Sequence, residues 1–284
     1  MGFKNTLLPV QNSIQSRGKL LDLSAPVVMG ILNATPDSFY TGGQATALPA
    51  MLHTAEQMIR DGAAILDIGG ASSRPGAATV SITEEQERIL PLIGAIRAQF
   101  PQQWLSVDTY HAAVAAAAVA AGADIINDIS GGLLDPEMIP TAARQKVPYI
   151  AMHMQGTPAT MQHKPEYRNV TEDVSDALLH ICERCRLAGI ADVILDPGFG
   201  FGKTQAHNYE LLSGMSLLRL LGKPVLAGIS RKSMIYKALE TTAAAALNGS
   251  TALHMVALQQ GATILRVHDV KEAMEAVRLF ALLS

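Results

Sequence analysis

Eight short apolar runs each end on a group able to bind or to exchange a proton. In chain order the groups are Asn33, Asp67, Asp108, Asn127 with Asp128, Met152 with His153, Asp196, the triplet Ser230-Arg231-Lys232, and the pair Arg266 and His268. Carboxylates accept from ring and amine N–H donors, whereas Arg, Lys and His hold anions. Asp67, Asp108 and Asp196 follow the second, third and sixth runs, and Arg231, Lys232, Arg266 and His268 follow the seventh and eighth. A rim divided in this way suits one small ligand with hydrogen-bond donors at one end and an anion at the other. Turn and cap chemistry also places Asp, Asn and Ser at strand ends, and Asp67 and Asp128 are open to that simpler reading.

The positioning elements follow from periodicity. The runs are "VVMGIL" (27–32), "AILDIG" (64–69), "WLSVD" (104–108), "DIIND" (124–128), "PYIAMHM" (148–154), "DVILD" (192–196), "PVLAGIS" (224–230) and "TILRVH" (263–268). Helical spacing fills segments between them, such as 46–61, 83–99, 111–121 and 170–188. Thr83 and Gln86 have capping-box spacing, and Gly follows several helices where a left-handed cap is needed. Strands apolar on both faces and alternating with helices predict an α/β fold, a single (β/α)8 TIM barrel spanning 25–284. Residues 1–24 form an N-terminal extension with a hairpin around Arg17-Gly18, predicted to plug the upstream end. An open doubly wound sheet is disfavoured, because its first turn lacks G-x-G-x-x-G.

In such a barrel the downstream loops build the active site. "TPDSFYTGG" after the first strand reads as a lid hinged at Gly42 and Gly43, and "GGASSRPGAATVS" after the second carries Arg74 in the same manner. "DPGFGFGKT" is not a phosphate-binding P-loop: the position of its first glycine is Pro197, which has no N–H to offer. It reads as a rigid loop presenting Asp196 and Phe201, with Lys203 in solvent. The histidines lack zinc-helix spacing, and no G-x-S-x-G elbow is present.

A formal charge of −3 without a basic stripe gives nucleic acid and anionic membrane no electrostatic support as partners. Cys182 and Cys185 stand i, i+3 in a helical segment without a redox context and read as inert. Neither a signal-peptide core nor a membrane-length apolar stretch is evident, so a cytoplasmic protein is expected. "MGFKNT" matches a myristoylation pattern too short to carry weight.

Taken in order, "GILNATPDSF", "DIGGASSRPGA", "SVDTY", "INDISG", "MHMQGTP", "DPGFGFGK", "GISRKS" and "RVHDV" resemble the dihydropteroate synthase family, the folate-pathway target of sulfonamides. The resemblance spans almost the whole chain. It implies a transferase that condenses 6-hydroxymethyl-7,8-dihydropterin pyrophosphate with 4-aminobenzoate, with Mg²⁺ as cofactor and pyrophosphate as leaving group. It implies a pterin site of Asp108, Asn127, Met152, Asp196, Gly228 and Lys232. Pyrophosphate would lie on Asn33, Ser73, Arg74, Arg266 and His268, with Asn33 on the metal and Asp37 a second candidate beside it. The aminobenzoate would meet Phe39, Ser73, Pro75, Phe201, Ser230 and Lys232, and Asp37, Arg74, Asp108 and Lys232 would serve catalysis. A homodimer and sulfonamide inhibitors are the implied partners.

Two departures from the family pattern stand out. Ala71 and Ser73 replace its usual Glu and Thr, and Tyr40-Thr41 replaces Ser-Asp after Phe39. Loss of the threonine methyl predicts looser contact with the aminobenzoate ring. Two alternatives share this architecture: a pterin-binding methyltransferase barrel, which would give Arg74, Arg266 and His268 no anion to hold, and a non-catalytic pterin-binding module.

Overall fold

The computed structural model describes residues 10–34, 44–71, 80–157, 161 and 165–283. Strands β1 (Ser13–Ser16) and β2 (Lys19–Asp22) pair antiparallel. Arg17 and Gly18 join them at φ 52° and 77°. Two consecutive left-handed residues match the right-handed twist of a tight hairpin, which is why the turn falls where the sequence places it.

Eight parallel strands follow: β3 (Val27–Asn33), β4 (Ile65–Gly69), β5 (Trp104–Asp108), β6 (Ile125–Asp128), β7 (Tyr149–Met152), β8 (Val193–Asp196), β9 (Leu226–Ala227) and β10 (Ile264–Val267). Their order, β8-β7-β6-β5-β4-β3-β10-β9, brings first and last together, and a Leu195–Val225 bridge draws β8 to β9. The result is the predicted barrel, nearly closed.

Around it run helices α1 (Gln44–Arg60), α2 (Ile82–Gln99), α3 (Ala112–Ala121), α4 (Met138–Gln145), α5 (Val170–Ala188), α6 (Gln205–Gly214), α7 (Ser233–Ala238), α8 (Leu247–Gln259) and α9 (Val270–Ala281).

Two expectations need correction. The cap of α2 is Ser81, not Thr83: Ser81 is extended and its hydroxyl accepts from the Glu84 amide at 3.2 Å, while Thr83 already lies inside the helix. The seventh strand is far shorter than 224–230. Arg231 takes φ 54° and the Lys232 amide donates to the Ile229 carbonyl, so the chain turns off the sheet before Ser230.

Side-chain alternation then sorts each strand into two faces. Val28, Leu66, Leu105, Ile126, Tyr149, Leu195, Ala227 and Leu265 face outward into the core shared with the helices. Met29, Ile65, Trp104, Ile125, Ile150, Ile194, Leu226 and Ile264 close the upstream interior, capped by Ile14 and Leu23 from the hairpin segment. The plug is thus an apolar seal. Asp124 staples it: its Oδ2 accepts from Lys19 Nζ at 2.7 Å, Arg97 at 2.6 Å and the Leu105 amide at 2.9 Å.

Candidate active site

Two residues beyond the apolar ring, the same inward face carries Asp67, Ser106, Asn127, Met152, Asp196, Gly228 and Arg266. The interior therefore changes from apolar to polar within one repeat on five of the eight strands. Arg266 donates to Asp67 Oδ2 at 2.6 Å and to Asp108 Oδ2 at 2.5 Å, and the Asn127 amide donates to Asp67 Oδ2 at 3.0 Å. The second oxygen of Asp67 and the hydroxyl of Ser106 are buried without a hydrogen-bond partner among the described residues.

The divided rim inferred from the sequence thus takes a different form. Because β10 returns beside β3, Arg266 reaches past that strand to the carboxylates of β4 and β5. Acidic and basic arcs interlock rather than stand apart.

On the opposite wall Asp196 is held by the Gly198 amide at 2.7 Å. Burial raises its pKa, against the favourable charges of Lys232, Arg266 and Lys203. Lys232 Nζ donates to the Phe199 carbonyl at 2.6 Å and lies 4.9 Å from the centre of the Phe201 ring. Burial lowers it to about 8, opposed by Asp196 and Asp108.

Asp108 is pushed up to about 7 by desolvation, with Asp67, Glu85 and Asp128 adding repulsion that Arg266 only partly offsets. Burial thus moves the carboxyl up and the ammonium down toward each other. Met152 packs with Ile129, Met154 and Met161, and Tyr110 and Phe201 close over this apolar wall. It offers a flat ring one soft, polarizable face.

Asn33 ends β3 at the exposed rim, its Oδ1 near Gly69. Ser230 Oγ lies 3.2 Å from His268 Nδ1, joining the ends of the last two barrel segments. The proposed roles of Asp37, Phe39, Ser73, Arg74 and Pro75 fall on positions outside the described residues.

Several residues change meaning. Lys203, read from sequence as solvated, is 3% exposed and donates to His153 Nδ1 at 2.9 Å and to the Gly198 and Phe201 carbonyls. A glycine-rich loop folded back on the preceding strand end leaves its ammonium no route to water. Asp128 faces away from the interior. It accepts from the Ser130 and Gly132 amides and the Tyr149 hydroxyl, which makes it a loop cap. Arg231 also turns away, in a paired contact with Asp269 at 2.8 Å through both nitrogens.

Asp67 and Ser106 belong to the interior although neither entered the inferred ligand set. Their signal was parity, since each stands two residues beyond an inward apolar side chain. Glu85 on α2 is a further surprise, 1% exposed with both oxygens unpartnered among the described residues. Burial raises its pKa to about 7, with Thr109 and Arg88 weakly opposing.

Comparison with known proteins fits this geometry. Residues 29–268 match the family model described as pterin binding enzyme. The dihydropteroate synthase of Escherichia coli strain K12 is 47% identical over 266 residues, 93% of this chain and 94% of the relative. A crystal structure of the Yersinia pestis dihydropteroate synthase in a sulfonamide drug complex superposes with TM-score 0.90 at 47% identity, covering 95% of this chain and 98% of that one. The Xanthomonas albilineans dihydropteroate synthase, solved with 4-aminobenzoic acid, gives TM-score 0.90 at 40% identity, covering 96% and 98%.

Proposed function

The chain belongs to the dihydropteroate synthase family of pterin-binding enzymes, and from that premise we infer how its own residues carry the condensation of a dihydropterin pyrophosphate with 4-aminobenzoate. The observation that supports the reading best is the polar layer of buried Asp67, Asn127 and Asp196 with half-buried Asp108, Lys232 and Arg266 above a sealed apolar floor.

A pterin edge presents an amino group and a ring N–H side by side, a donor pair that the carboxylate of Asp196 can accept in parallel. Asn127 meets the remaining ring nitrogens, Met152 covers one face, and Gly228 leaves room for the ring. Lys232 donates to the ring carbonyl and to N5.

The reaction breaks the bond between the pterin methylene carbon and the pyrophosphate oxygen, and the electron pair leaves with pyrophosphate. Positive charge then develops on the dihydropterin next to Asp108, whose ionised form that charge favours. Arg266 and His268, with Asn33 at the mouth, stabilise the departing anion. The aniline nitrogen attacks the methylene carbon against Phe201, Ser230 and Lys232 and then loses one proton. No covalent intermediate with the protein is needed. In class terms the activity is transfer of an alkyl group other than methyl.

Among the described residues no three His, Cys, Asp or Glu side chains converge as a metal cage. That donor set fits Mg²⁺ all the same, because this ion keeps its waters and is held through substrate phosphates and one or two protein oxygens. Asn33 would supply such an oxygen, with Asp37 the second candidate, and the ion would neutralise pyrophosphate charge.

A homodimer fits the exposed Leu279, Leu282 and Leu283 at the end of the chain, and the free Cys182 and Cys185 suit the cytoplasm. Sulfonamides, as mimics of 4-aminobenzoate, should compete for the second site. The methyltransferase alternative has no observation in its favour.

The deciding experiment measures pyrophosphate release. Release is expected only with both substrates and Mg²⁺. Binding of the pterin pyrophosphate with no release on adding 4-aminobenzoate would instead identify a non-catalytic pterin-binding module.

A further inference from the structure

Lys203 presents a physical puzzle. Its ammonium is almost wholly buried, yet no carboxylate stands within ion-pair distance among the described residues. Desolvation lowers its pKa to about 7, with Asp196 the opposing influence. An ammonium kept under such strain must use its donors where nothing neutral would serve as well.

It has three donors and three acceptors. They are His153 Nδ1 at 2.9 Å, the Gly198 carbonyl at 2.9 Å and the Phe201 carbonyl at 3.1 Å. Gly198 and Phe201 are the two ends of one turn, closed by the Phe201 amide donating to Gly198 at 3.1 Å.

What lies on that turn gives the contact its meaning. Between its ends the Phe199 carbonyl receives Lys232 Nζ at 2.6 Å, and the Phe201 ring stands 4.9 Å from the same ammonium. The turn is pressed against the segment after β7. A methyl group at Gly198 would lie 1.9 Å from the His153 carbonyl oxygen, and one at Gly202 would lie 2.5 Å from that of Gln155. The Tyr167 hydroxyl closes the far side on the Gly202 carbonyl at 2.7 Å. Two active-site loops are therefore clasped together, and Lys203 is the peg.

We propose that Lys203 is the positioning residue of the aminobenzoate half of the site: through His153 and the 198–201 turn it sets Phe201 and the Phe199 carbonyl that aims Lys232, without touching either substrate. The proposal rests on the functional reading above, which puts the second substrate against Phe201 and Lys232. The pterin half should feel the change less: Asp67, Asn127 and Arg266 hold one another independently of this turn, and only Lys232 and Asp196 among the pterin contacts lean on it.

The test compares wild type with Lys203→Met, His153→Leu and His153→Asn. It uses steady-state turnover, calorimetric binding of the pterin pyrophosphate alone, and hydrogen exchange at the Gly200 and Phe201 amides. Losing one buried charged hydrogen bond predicts a rise of roughly tenfold in KM for 4-aminobenzoate in His153→Leu, and Lys203→Met, which loses three, should rise by at least as much. Pterin affinity should fall by clearly less than that, because only two of its contacts, Lys232 and Asp196, lean on the same turn. Exchange at Phe201 should quicken in both variants.

His153→Asn restores an acceptor oxygen and should recover most of the wild-type KM. An unchanged KM and unchanged exchange in folded Lys203→Met, or equal losses for both substrates, would overturn the proposal. If Lys203→Met does not fold, the contrast between His153→Leu and His153→Asn decides. Wild-type protein without turnover would refute the functional reading instead, while the exchange measurement would still report whether Lys203 holds the turn.

Discussion

Two buried ionic clusters occupy opposite ends of the same barrel. Upstream, Asp124 is fully buried and takes Lys19 and Arg97, whose remaining Arg97 donors end on the Pro101, Gln103 and Gly122 carbonyls. Downstream, Asp67, Asp108 and Asp196 share Arg266 and Lys232. Burial lowers the pKa of Lys19 upstream just as it lowers that of Lys232 downstream, and each cluster leaves one carboxylate oxygen unpartnered among the described residues.

Neither a shifted pKa nor a lone orphan oxygen therefore marks a functional site. Charge balance does. Two cations paired directly with one carboxylate under an apolar plug form a closed staple, whereas at the open mouth Asp67 and Asp108 share the single arginine Arg266, and Lys232 and Lys203 near Asp196 spend donors on backbone carbonyls.

That contrast is tested most severely by Arg266→Met. It leaves Asp67 and Asp108 uncompensated and should cost about 3–5 kcal/mol of stability, as breaking buried ion pairs does. Turnover should fall by at least roughly a hundredfold, equivalent to about 2.7 kcal/mol of transition-state stabilisation. Urea unfolding and the pyrophosphate assay measure the two losses. A variant as active as wild type would mean that the downstream cluster, too, is only a staple.

Asp124→Asn should cost less, about 1–3 kcal/mol, because Lys19 and Arg97 can turn toward water. Both KM values should stay unchanged. If KM shifts without a change in stability, the separation of the two ends is wrong.

The smallest effect is expected at Glu85, which lies beside the downstream cluster and repels Asp108. Its folded pKa of about 7 exceeds the unfolded 4.5, so the folded state binds more protons across that window and loses stability as pH rises through it. Glu85→Gln removes the titration. Its stability should meet that of wild type near the acid end of the window and exceed it above neutrality by on the order of 1–2 kcal/mol. Parallel stability curves from pH 5 to pH 8 would show that Glu85 does not titrate there.

Much of the fold was legible in the chain. The eight apolar runs matched strands, the hairpin turned at Arg17-Gly18, and the predicted helix 170–188 coincides with α5 (Val170–Ala188). The misreadings were local. Thr83 has the right chemistry for a cap but lies two residues late, and the "PVLAGIS" run has strand composition beyond the point where Arg231 breaks the backbone. Asp196, Asn127 and Arg266 were placed on one rim because each stands in the last two positions of a strand, and Lys232 because its run was read as a longer strand than the two-residue β9. Lys203 was missed because a lysine in a glycine-rich loop ordinarily reaches water.

The order of types along the chain was enough to determine a ring of short parallel strands, a sealed end and a polar end, since alternation and turn chemistry act within a few residues. Which acidic groups face the interior was decided only by the closed barrel. Strands buried on both faces carry no polar side to mark the inward direction, so Asp67 and Asp128 look alike until neighbouring strands and helices claim opposite parities. The reach of Arg266 to two carboxylates, and the enclosure of Lys203 between two loops, likewise arise from segments far apart in sequence meeting in space.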